Sequence, residues 1–239
     1  MRLEGRRALV TGSSRSIGRG IALGLAREGA DVVVHYRNDR GAAVVRGDTA
    51  VAADVEGLVR EAVEALGGID LLVNNAGILK RTPFLEVAES EWDAILDTNL
   101  KGYFLVGQAV ARQMVSRNVE GAIVNISSAG QLVAAPNLTH YCVAKAGVEM
   151  LTKQMALELA PHRIRVNAVC PGLIETDLNR RDIANPEFRE RRLARIPLKT
   201  IGVPEDVVGA VIFLAAGSEA RLVTGASVFV DGGQTIGGA

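Results

Sequence analysis

The sequence has 239 residues, with 27 Lys or Arg against 27 Asp or Glu, so its formal net charge is zero. A balanced charge without a basic run lacks the electrostatic footprint that nucleic-acid binding requires. Cys142 and Cys170 are too few for a disulfide framework and have no metal-ligand spacing. The first ten residues show neither a secretory h-region nor a membrane-spanning stretch, so we expect a cytoplasmic protein without a metal site.

Apolar runs alternate with helical patterns along the whole chain. Seven runs have the character of strands: Arg7 to Val10, Asp31 to His35, Ala43 to Val45, Leu71 to Asn74, Ala122 to Ile126, Arg165 to Val169 and Ser227 to Val230. Their continuous apolarity indicates strands that are buried on both faces, and therefore a parallel sheet between helix layers. The sequence predicts a single α/β domain over residues 1–239, with a doubly wound parallel sheet.

A glycine-rich turn, Thr11 to Gly18, follows the first strand and leads into a helical segment, Arg19 to Glu28, that Gly29 closes. Such a turn exposes main-chain N–H groups and the positive end of the helix dipole to a phosphate. Glycines also serve in plain tight turns, so the motif taken alone is weak evidence. Its position directly after the first strand favours a phosphate site.

The connection between the second and third predicted strands is short. Arg37 to Gly41 spans at most about 18 Å when fully extended, which is about the length of the strand it must run back along. A crossover helix does not fit within that length. We therefore predict a short extended link between these strands and a thinly covered sheet edge.

Tyr141 and Lys145 are four residues apart on a predicted helix, and Ser128 lies thirteen positions before the tyrosine. The spacing puts the phenol and the ammonium on one helix face. Lowering a tyrosine pKa from about 10 toward 7 requires roughly 4 kcal/mol of preferential phenolate stabilisation, much of which a nearby lysine cation supplies. For the pair alone, an ordinary surface contact is the alternative. His140 is expected to be structural, with substrate contact as the less favoured alternative.

These motifs, together with Asn74-Asn75-Ala76-Gly77 and Pro171-Gly172, resemble the short-chain dehydrogenase/reductases over essentially the whole chain. The resemblance implies a Rossmann fold and hydride transfer between a nicotinamide cofactor and a carbonyl or secondary alcohol. One position departs from the family, because Ser16 stands where the middle glycine of the turn is expected. Its Cβ occupies space that the pyrophosphate approaches, so we expect weaker or re-angled binding unless the hydroxyl itself bonds a phosphate oxygen.

The resemblance assigns catalysis to Asn99, Ser128, Tyr141 and Lys145. In this scheme Tyr141 gives its proton to the forming alkoxide, and Ser128 donates a hydrogen bond to the same oxygen. Lys145 lowers the pKa of Tyr141 and binds the nicotinamide ribose, while Asn99 holds a water that relays protons from solvent. The family spacing selects Ser128 over the adjacent Ser127, which is expected to be structural. Taken alone, Asn99 also fits a polar residue that packs its helix.

Two arginines near the second strand favour NADP(H). Relatives that prefer NAD carry an acidic residue at the end of this strand, but this chain has Tyr36 followed by Arg37. Arg15, inside the glycine-rich turn, supplies a second guanidinium on the same side. Two guanidiniums match a 2′-phosphate in charge and in fork geometry. Solvated surface arginines are the alternative interpretation.

The same resemblance places the adenine and nicotinamide ends of the cofactor. Asp48 matches the position that binds the adenine amino group, with Asp54 as the competing candidate. In this chain, Pro171 to Thr176 resemble the family's loop that orients the nicotinamide amide. The predicted cofactor residues are Gly12, Ser14, Arg15, Ile17, Gly18, Arg37, Asp48, Thr49, Asn75, Ala76, Gly77, Tyr141, Lys145, Pro171, Gly172, Ile174 and Thr176.

Residues 178–199 fall in the family's variable lid over the substrate. The lid contains Arg180, Arg181, Arg189, Arg191, Arg192 and Arg195. The stretch that ends at Arg180 resembles the 3-oxoacyl-[acyl-carrier-protein] reductases, in which an arginine at this position helps dock the acidic carrier, and Arg117 is a second candidate. Lid arginines that serve solubility and pair with Glu187 and Glu190 are the alternative. A sugar, a polyol or another small secondary alcohol remains open as substrate, as does a cofactor-binding protein without catalysis.

The C-terminal strand resembles the edge through which many family members assemble. Long helices are also expected from Trp92 to Met114 and from Tyr141 to Leu159, and these would pair across a second two-fold axis. We therefore expect a homotetramer.

Overall fold

Seven parallel strands form one sheet in the computed structural model, which describes residues 1–37 and 45–237. The strands are β1 (Arg7–Val10), β2 (Asp31–Tyr36), β3 (Val45–Arg46), β4 (Leu71–Asn74), β5 (Ala122–Ile126), β6 (Arg165–Pro171) and β7 (Ser227–Val230). Their order across the sheet is β3-β2-β1-β4-β5-β6-β7. This arrangement confirms the predicted doubly wound parallel sheet.

Helices cover both faces of the sheet. They are α1 (Ser16–Arg27), α2 (Ala52–Leu66), α3 (Glu89–Leu96), α4 (Gly102–Ser116), α5 (Thr139–Leu159), α6 (Arg180–Ile183), α7 (Pro186–Ala194) and α8 (Pro204–Ala215). Helices α1 and α8 pack on one face, against side chains such as Val10 and Val73. Helices α2 and α4 pack on the other face, against neighbours such as Leu9 and Leu72. Successive strand residues thus enter opposite cores, which is why the strand sequences are apolar without alternation.

The predicted helix from Trp92 to Met114 is interrupted in the structure. Helix α3 ends at Leu96, a π-helical turn spans Asp97–Lys101, and α4 begins at Gly102. The buried Asn99 lies in this turn, and its side chain bonds to both main-chain polar groups of Ile78, each over 2.8 Å. Wide turns of this kind are rare inside helices and occur often at functional sites.

Strands β2 and β3 pair in parallel, with His35 opposite Val45 and Tyr36 opposite Arg46. Ten positions separate each pair along the chain, whereas a crossover between parallel strands usually takes a dozen residues or more. The predicted extended link from Arg37 to Gly41 falls largely outside the described residues and stays a prediction.

The order of the strands reverses between β1 and β4, so a crevice opens there at the carboxyl ends of the strands. The glycine-rich turn follows β1, Asn75 follows β4, Ser127 follows β5 and Gly172 follows β6. Parallel strands therefore bring all of these segments to one edge of the sheet.

Candidate active site

A cavity of about 900 Å³ lies at this carboxyl edge. All seventeen predicted cofactor residues line it, as do Ser127 and Ser128. The end of the cavity away from the glycine-rich turn is lined by Arg81, by residues of the lid, and by residues 234–237. The structure thus brings the predicted cofactor residues and most of the predicted catalytic residues into one continuous space.

Close backbone packing explains two glycines of the turn. Gly12 has φ of +62°, and a Cβ there would lie 2.8 Å from Cα of Ala76. A Cβ at Gly18 would lie 2.4 Å from the main-chain oxygen of Gly12. The amide of Asn75 donates to the main-chain oxygens of Thr11 and Gly12, each over 3.0 Å. A side chain at either glycine would therefore separate the turn from the segment after β4.

His35, which the sequence did not single out, connects the turn to the segment after β3. Its Nδ1 accepts a hydrogen bond from the Gly12 N–H over 3.0 Å, so the ring proton is on Nε2, which donates to the oxygen of Gly47 over 3.0 Å. Burial lowers the pKa of His35. The neutral ring therefore holds the start of the glycine-rich turn, here also called the phosphate turn, against the end of the cavity that is predicted to bind the adenosine.

Ser16 adopts a left-handed backbone conformation, with φ of +49°. This is the region that favours glycine, so the family's preference at the position has a local cause. The Ser16 hydroxyl donates to a carboxylate oxygen of Asp177 over 3.1 Å. In this structure it connects the glycine-rich turn to the residue directly before the lid.

Arg37 and Asp48 meet at the adenosine end, where their side chains form an ion pair at 3.3 Å. Asp48 also accepts a hydrogen bond from the N–H of Ala50. The carboxylate of Asp54 accepts from the Asp48 N–H over 2.8 Å and does not line the cavity. Arg15 is exposed at the same end. The geometry therefore favours Asp48 over Asp54 as the residue that faces the adenine.

Ser128 and Tyr141 line the same cavity. Ser128 accepts the N–H of Gly130 over 3.0 Å, which fixes its rotamer. Burial raises the pKa of Tyr141, while the influence of the Ser128 hydroxyl on the phenol and the charge of Arg81 act in the opposite direction. The hydroxyl of the adjacent Ser127 donates to the main-chain oxygen of Lys145 instead.

Lys145 is almost fully buried, with 4% of its surface exposed. Its ammonium donates to the oxygen of Ile126 over 2.8 Å and to the hydroxyl of Tyr103 over 3.2 Å. Burial lowers the pKa of Lys145 to about 7. The ammonium lies 5.8 Å from the centre of the Tyr141 ring. Among the described residues, the cation that lowers the pKa of Tyr141 is Arg81, which was not predicted as a site residue.

Asn99 does not line the cavity. Both polar atoms of its side chain bond to the main chain of Ile78, as described above. The side chain thus braces the segment after β4 against the π-helical turn, and its role in a proton relay remains a prediction.

The two arginines of the predicted carrier-docking patch lie at opposite edges of the sheet. Arg180 lies beyond the carboxyl end of β6, where it pairs with Asp177 at 3.0 Å and with Glu175 at 3.7 Å. Arg117 follows α4 and donates to the main-chain oxygen of Gly67, which lies before the amino end of β4. The expectation that Arg117 joins Arg180 in one patch is therefore wrong within a single chain.

Arg81, Arg192 and Arg195 line the substrate end of the cavity. Two of them were visible in the sequence as lid arginines, but which lid side chains face inward depends on how α7 packs. The apolar contact between Phe188, Ile183 and Ile196 fixes that packing. Gln234 also lines this end, and the sequence carries no signal for it.

A comparison with protein families matches residues 12–235 to the family described as Enoyl-(Acyl carrier protein) reductase. An L-rhamnose 1-dehydrogenase (NAD(P)(+)) from Azotobacter vinelandii is 43% identical over 99% of both chains. The 3-oxoacyl-[acyl-carrier-protein] reductase FabG of Staphylococcus aureus is 40% identical over 95% of this chain and 97% of its own.

Among solved structures, a gluconate 5-dehydrogenase from Burkholderia cenocepacia, in complex with NADP and tartrate, is 39% identical with a TM-score of 0.94. The match covers 98% of this chain and 97% of that one. Among the described residues, no helix has the length and apolarity to cross a membrane. The shared motifs, the fold and these similarities establish that the chain belongs to the short-chain dehydrogenase/reductase family and is an oxidoreductase that uses a nicotinamide dinucleotide.

Proposed function

We propose that this protein is a cytoplasmic NADP(H)-dependent dehydrogenase of a small polyhydroxylated compound of the sugar or polyol class. The observation that carries the proposal is the substrate end of the cavity, where Arg81, Arg192 and Arg195 face inward. Three guanidinium groups at this end suit a compound with many hydroxyl groups better than an acyl chain. The A. vinelandii relative, named for a dehydrogenase of the sugar L-rhamnose, supports the same class.

Residues around the cavity accept the proton that the substrate hydroxyl loses in this reaction. A bound nicotinamide would supply the hydride acceptor for the alcohol carbon, or the hydride donor in the reverse direction. Tyr141 takes up the hydroxyl proton of the substrate, and Ser128 donates a hydrogen bond to the same oxygen. Lys145 binds the ribose, and its charge, once the cofactor is in place, favours the phenolate.

Residues at the other end of the cavity would recognise the cofactor. The N–H groups of the turn and the start of α1 would hold the pyrophosphate, while Asp48 and Thr49 would contact the adenine. Arg15 and Arg37 would bind the 2′-phosphate, a group that NADP(H) has and NAD(H) lacks. Arg37 is already held beside the adenosine site by its ion pair with Asp48.

Reduction of a 3-oxoacyl thioester on acyl carrier protein is the second candidate. The 40% identity to the S. aureus reductase favours it. Against it, Arg180 is paired within its own chain, and Arg117 lies at the other edge of the sheet.

A substrate panel tests the proposal. NADPH formation is measured with NADP⁺ and L-rhamnose, D-glucitol or D-gluconate, and NADPH consumption is measured with a 3-oxoacyl thioester. We expect turnover of a compound of the first group, at least about tenfold slower with NAD⁺, and loss of activity in Tyr141→Phe. Efficient turnover of the thioester alone would replace the proposal with the second candidate.

We also propose that the chain forms a homotetramer. Val143, Met150 and Leu157 repeat every seven residues on α5 and are 44%, 57% and 72% exposed. Phe104 on the neighbouring α4 is also 44% exposed. Such an apolar stripe on a helix is typical of a face that pairs with another helix. Sedimentation that showed a stable monomer at micromolar concentration would contradict the proposal.

A further inference from the structure

The charges at the substrate end of the cavity are not balanced. Arg81 comes from the loop after β4, while Arg192 and Arg195 come from α7 and the residue that caps it. Among the described residues that line the cavity, the acidic one is Asp48, at the distant adenosine end. The substrate end therefore presents positive charge to whatever occupies it.

Arg192 is the most buried of the three guanidiniums. Its Nε is shielded from solvent and has no hydrogen-bond acceptor among the described residues. Burial lowers the pKa of Arg192, and repulsion from Arg81, Arg195 and Arg191 lowers it further. Arg192 is half-buried, and a cation whose Nε is shielded from water without an acceptor is costly, so its position favours an anion that binds there.

Arg81 is held in place beside the catalytic tyrosine. Its guanidinium pairs with Asp182 at 3.4 Å and lies 5.8 Å from the centre of the Phe188 ring. Its charge acts on the phenol of Tyr141. Asp182 offsets one of the three positive charges, so the cluster keeps a net positive charge close to the reacting hydroxyl.

We propose that the substrate carries an oxyanion, a carboxylate or a phosphate, which Arg192 and Arg81 bind while its secondary alcohol lies against Tyr141. A guanidinium offers two parallel N–H donors that match either group. The buried Oε1 of Gln234 has no donor among the described residues and is available to a substrate hydroxyl in the same cavity. The oxyanion takes no part in the reaction, in which the alcohol loses a hydride and a proton and becomes a ketone. This inference rests on the proposed function.

Three compounds on one carbon chain test the inference by direct binding. D-glucitol is neutral, D-gluconate replaces one terminal hydroxymethyl group with a carboxylate, and D-glucitol 6-phosphate adds a phosphate. Their affinities are measured by calorimetry on the NADP⁺-saturated Tyr141→Phe variant, in which turnover does not interfere. We expect one of the two acids to bind at least about tenfold more tightly than D-glucitol, and the stronger one identifies the oxyanion.

Variants on α7 provide the control. In the Tyr141→Phe background, Arg192→Gln should abolish the preference for the acid, and Arg192→Lys, which keeps the charge, should retain part of it. Arg189→Gln should keep the full preference, because Arg189 is exposed on the same helix and does not line the cavity. NADP⁺ affinity shows that each variant is folded. Equal affinity for the three compounds, or a preference that survives in Arg192→Gln, would overturn the inference.

Turnover by the wild-type enzyme separates this inference from the function on which it rests. A preference for the acid in binding, without turnover of any sugar or polyol, would retain the oxyanion site and reject the proposed function. Equal kcat/KM for D-glucitol and D-gluconate would retain the proposed function and overturn the oxyanion site.

Discussion

The Gly12 N–H donates a hydrogen bond to Nδ1 of His35 over 3.0 Å, and this contact joins the phosphate turn to the neighbouring strand. A protonated imidazole has two donors and no acceptor. Protonation of His35 would therefore place a hydrogen against the Gly12 N–H. We therefore expect the position of His35 to make the cofactor site sensitive to pH.

We predict that folding stability and NADPH affinity both fall in acid because of His35. Its pKa is lowered in the folded chain, so the unfolded chain binds the proton first. Its contribution is complete above about pH 6.5 and is lost as the pH falls below that value. An unsatisfied buried N–H costs about 1–3 kcal/mol. In His35→Asn, whose amide oxygen can accept the same bond, this part of the pH dependence should disappear.

Denaturant unfolding and NADPH titrations between pH 8 and pH 5 measure the effect of His35. The 2′-phosphate of the cofactor also titrates in this range, but equally for both proteins, so the difference between them isolates the histidine. His162→Asn is the control, because His162 is exposed. Identical pH profiles for wild type and His35→Asn would contradict the prediction.

Ser16→Gly is predicted to bind NADPH more tightly than the wild-type protein. The left-handed backbone at Ser16 costs a non-glycine residue roughly 1 kcal/mol, and the Cβ occupies space near the phosphate path. The added freedom of glycine in the unfolded chain offsets most of the relief, so stability should change by less than about 1 kcal/mol.

Ser16→Ala separates the two features of the serine, since it keeps the Cβ and removes the bond to Asp177. Fluorescence titration with NADPH gives the affinities of the three proteins. Weaker binding by both variants would mean that the hydroxyl supports the phosphate and that the glycine of relatives is no advantage here.

Lys145→Met is predicted to abolish activity and to remove a pH dependence from the stability of the cofactor-free protein. The folded-state pKa of Lys145 is about 7, below its ordinary value of 10.5. Between these values the unfolded chain holds a proton that the folded chain lacks, so wild-type stability decreases as the pH falls from 10.5 to 7 and then levels off. A pKa that differs by one between the folded and unfolded chains corresponds to about 1.4 kcal/mol, so the loss amounts to a few kcal/mol.

Thermal unfolding of wild type and Lys145→Met between pH 7 and pH 10 tests this. Lys153→Met serves as the matched control, because Lys153 is on the same helix and is 49% exposed in its pair with Glu149. A stability difference between wild type and Lys145→Met that stays constant over this range would show that the buried lysine keeps its ordinary pKa.

The strands and the glycine-rich turn could be predicted from the sequence because they depend on local patterns. Burial on both faces makes each strand continuously apolar, and the phosphate turn needs glycines at positions where a Cβ would meet the backbone. Strand β6 exceeds its prediction by two residues, ending at Pro171, because its pairing with β7 continues to Val230.

The features of the site that could not be predicted depend on contacts between distant segments of the chain. Nothing local reveals that Asn99 bonds to Ile78 and sits in a π-helical turn. Likewise, Arg117 and Arg192 are both arginines on or after a helix, yet one faces the far edge of the sheet and the other lines the cavity. Only the packing of their helices distinguishes them.

Glu91 provides the last prediction, because it connects the loop that carries Arg81 to the helix that carries Tyr141. Its carboxylate, 10% exposed, binds Lys80 and Thr82 and accepts a hydrogen bond from Nε2 of His140 over 2.8 Å. His140 is fully buried, which argues against its contact with substrate. Glu91 thus positions the loop with Arg81 relative to the helix with Tyr141, although Glu91 itself does not line the cavity.

The hydrogen bonds from Lys80 and Thr82 lower the pKa of Glu91 to about 2. Its stabilising contribution is therefore complete above about pH 4.5 and is lost as the pH falls toward 2. Glu91→Gln should be less stable than wild type at pH 7, and the gap should narrow in acid. We expect kcat to fall about tenfold or more, because the loop and α5 shift relative to each other, while NADPH affinity stays unchanged. Glu89→Gln, exposed on the same helix, should behave as wild type, and an unchanged kcat in Glu91→Gln would show that Glu91 supports stability alone.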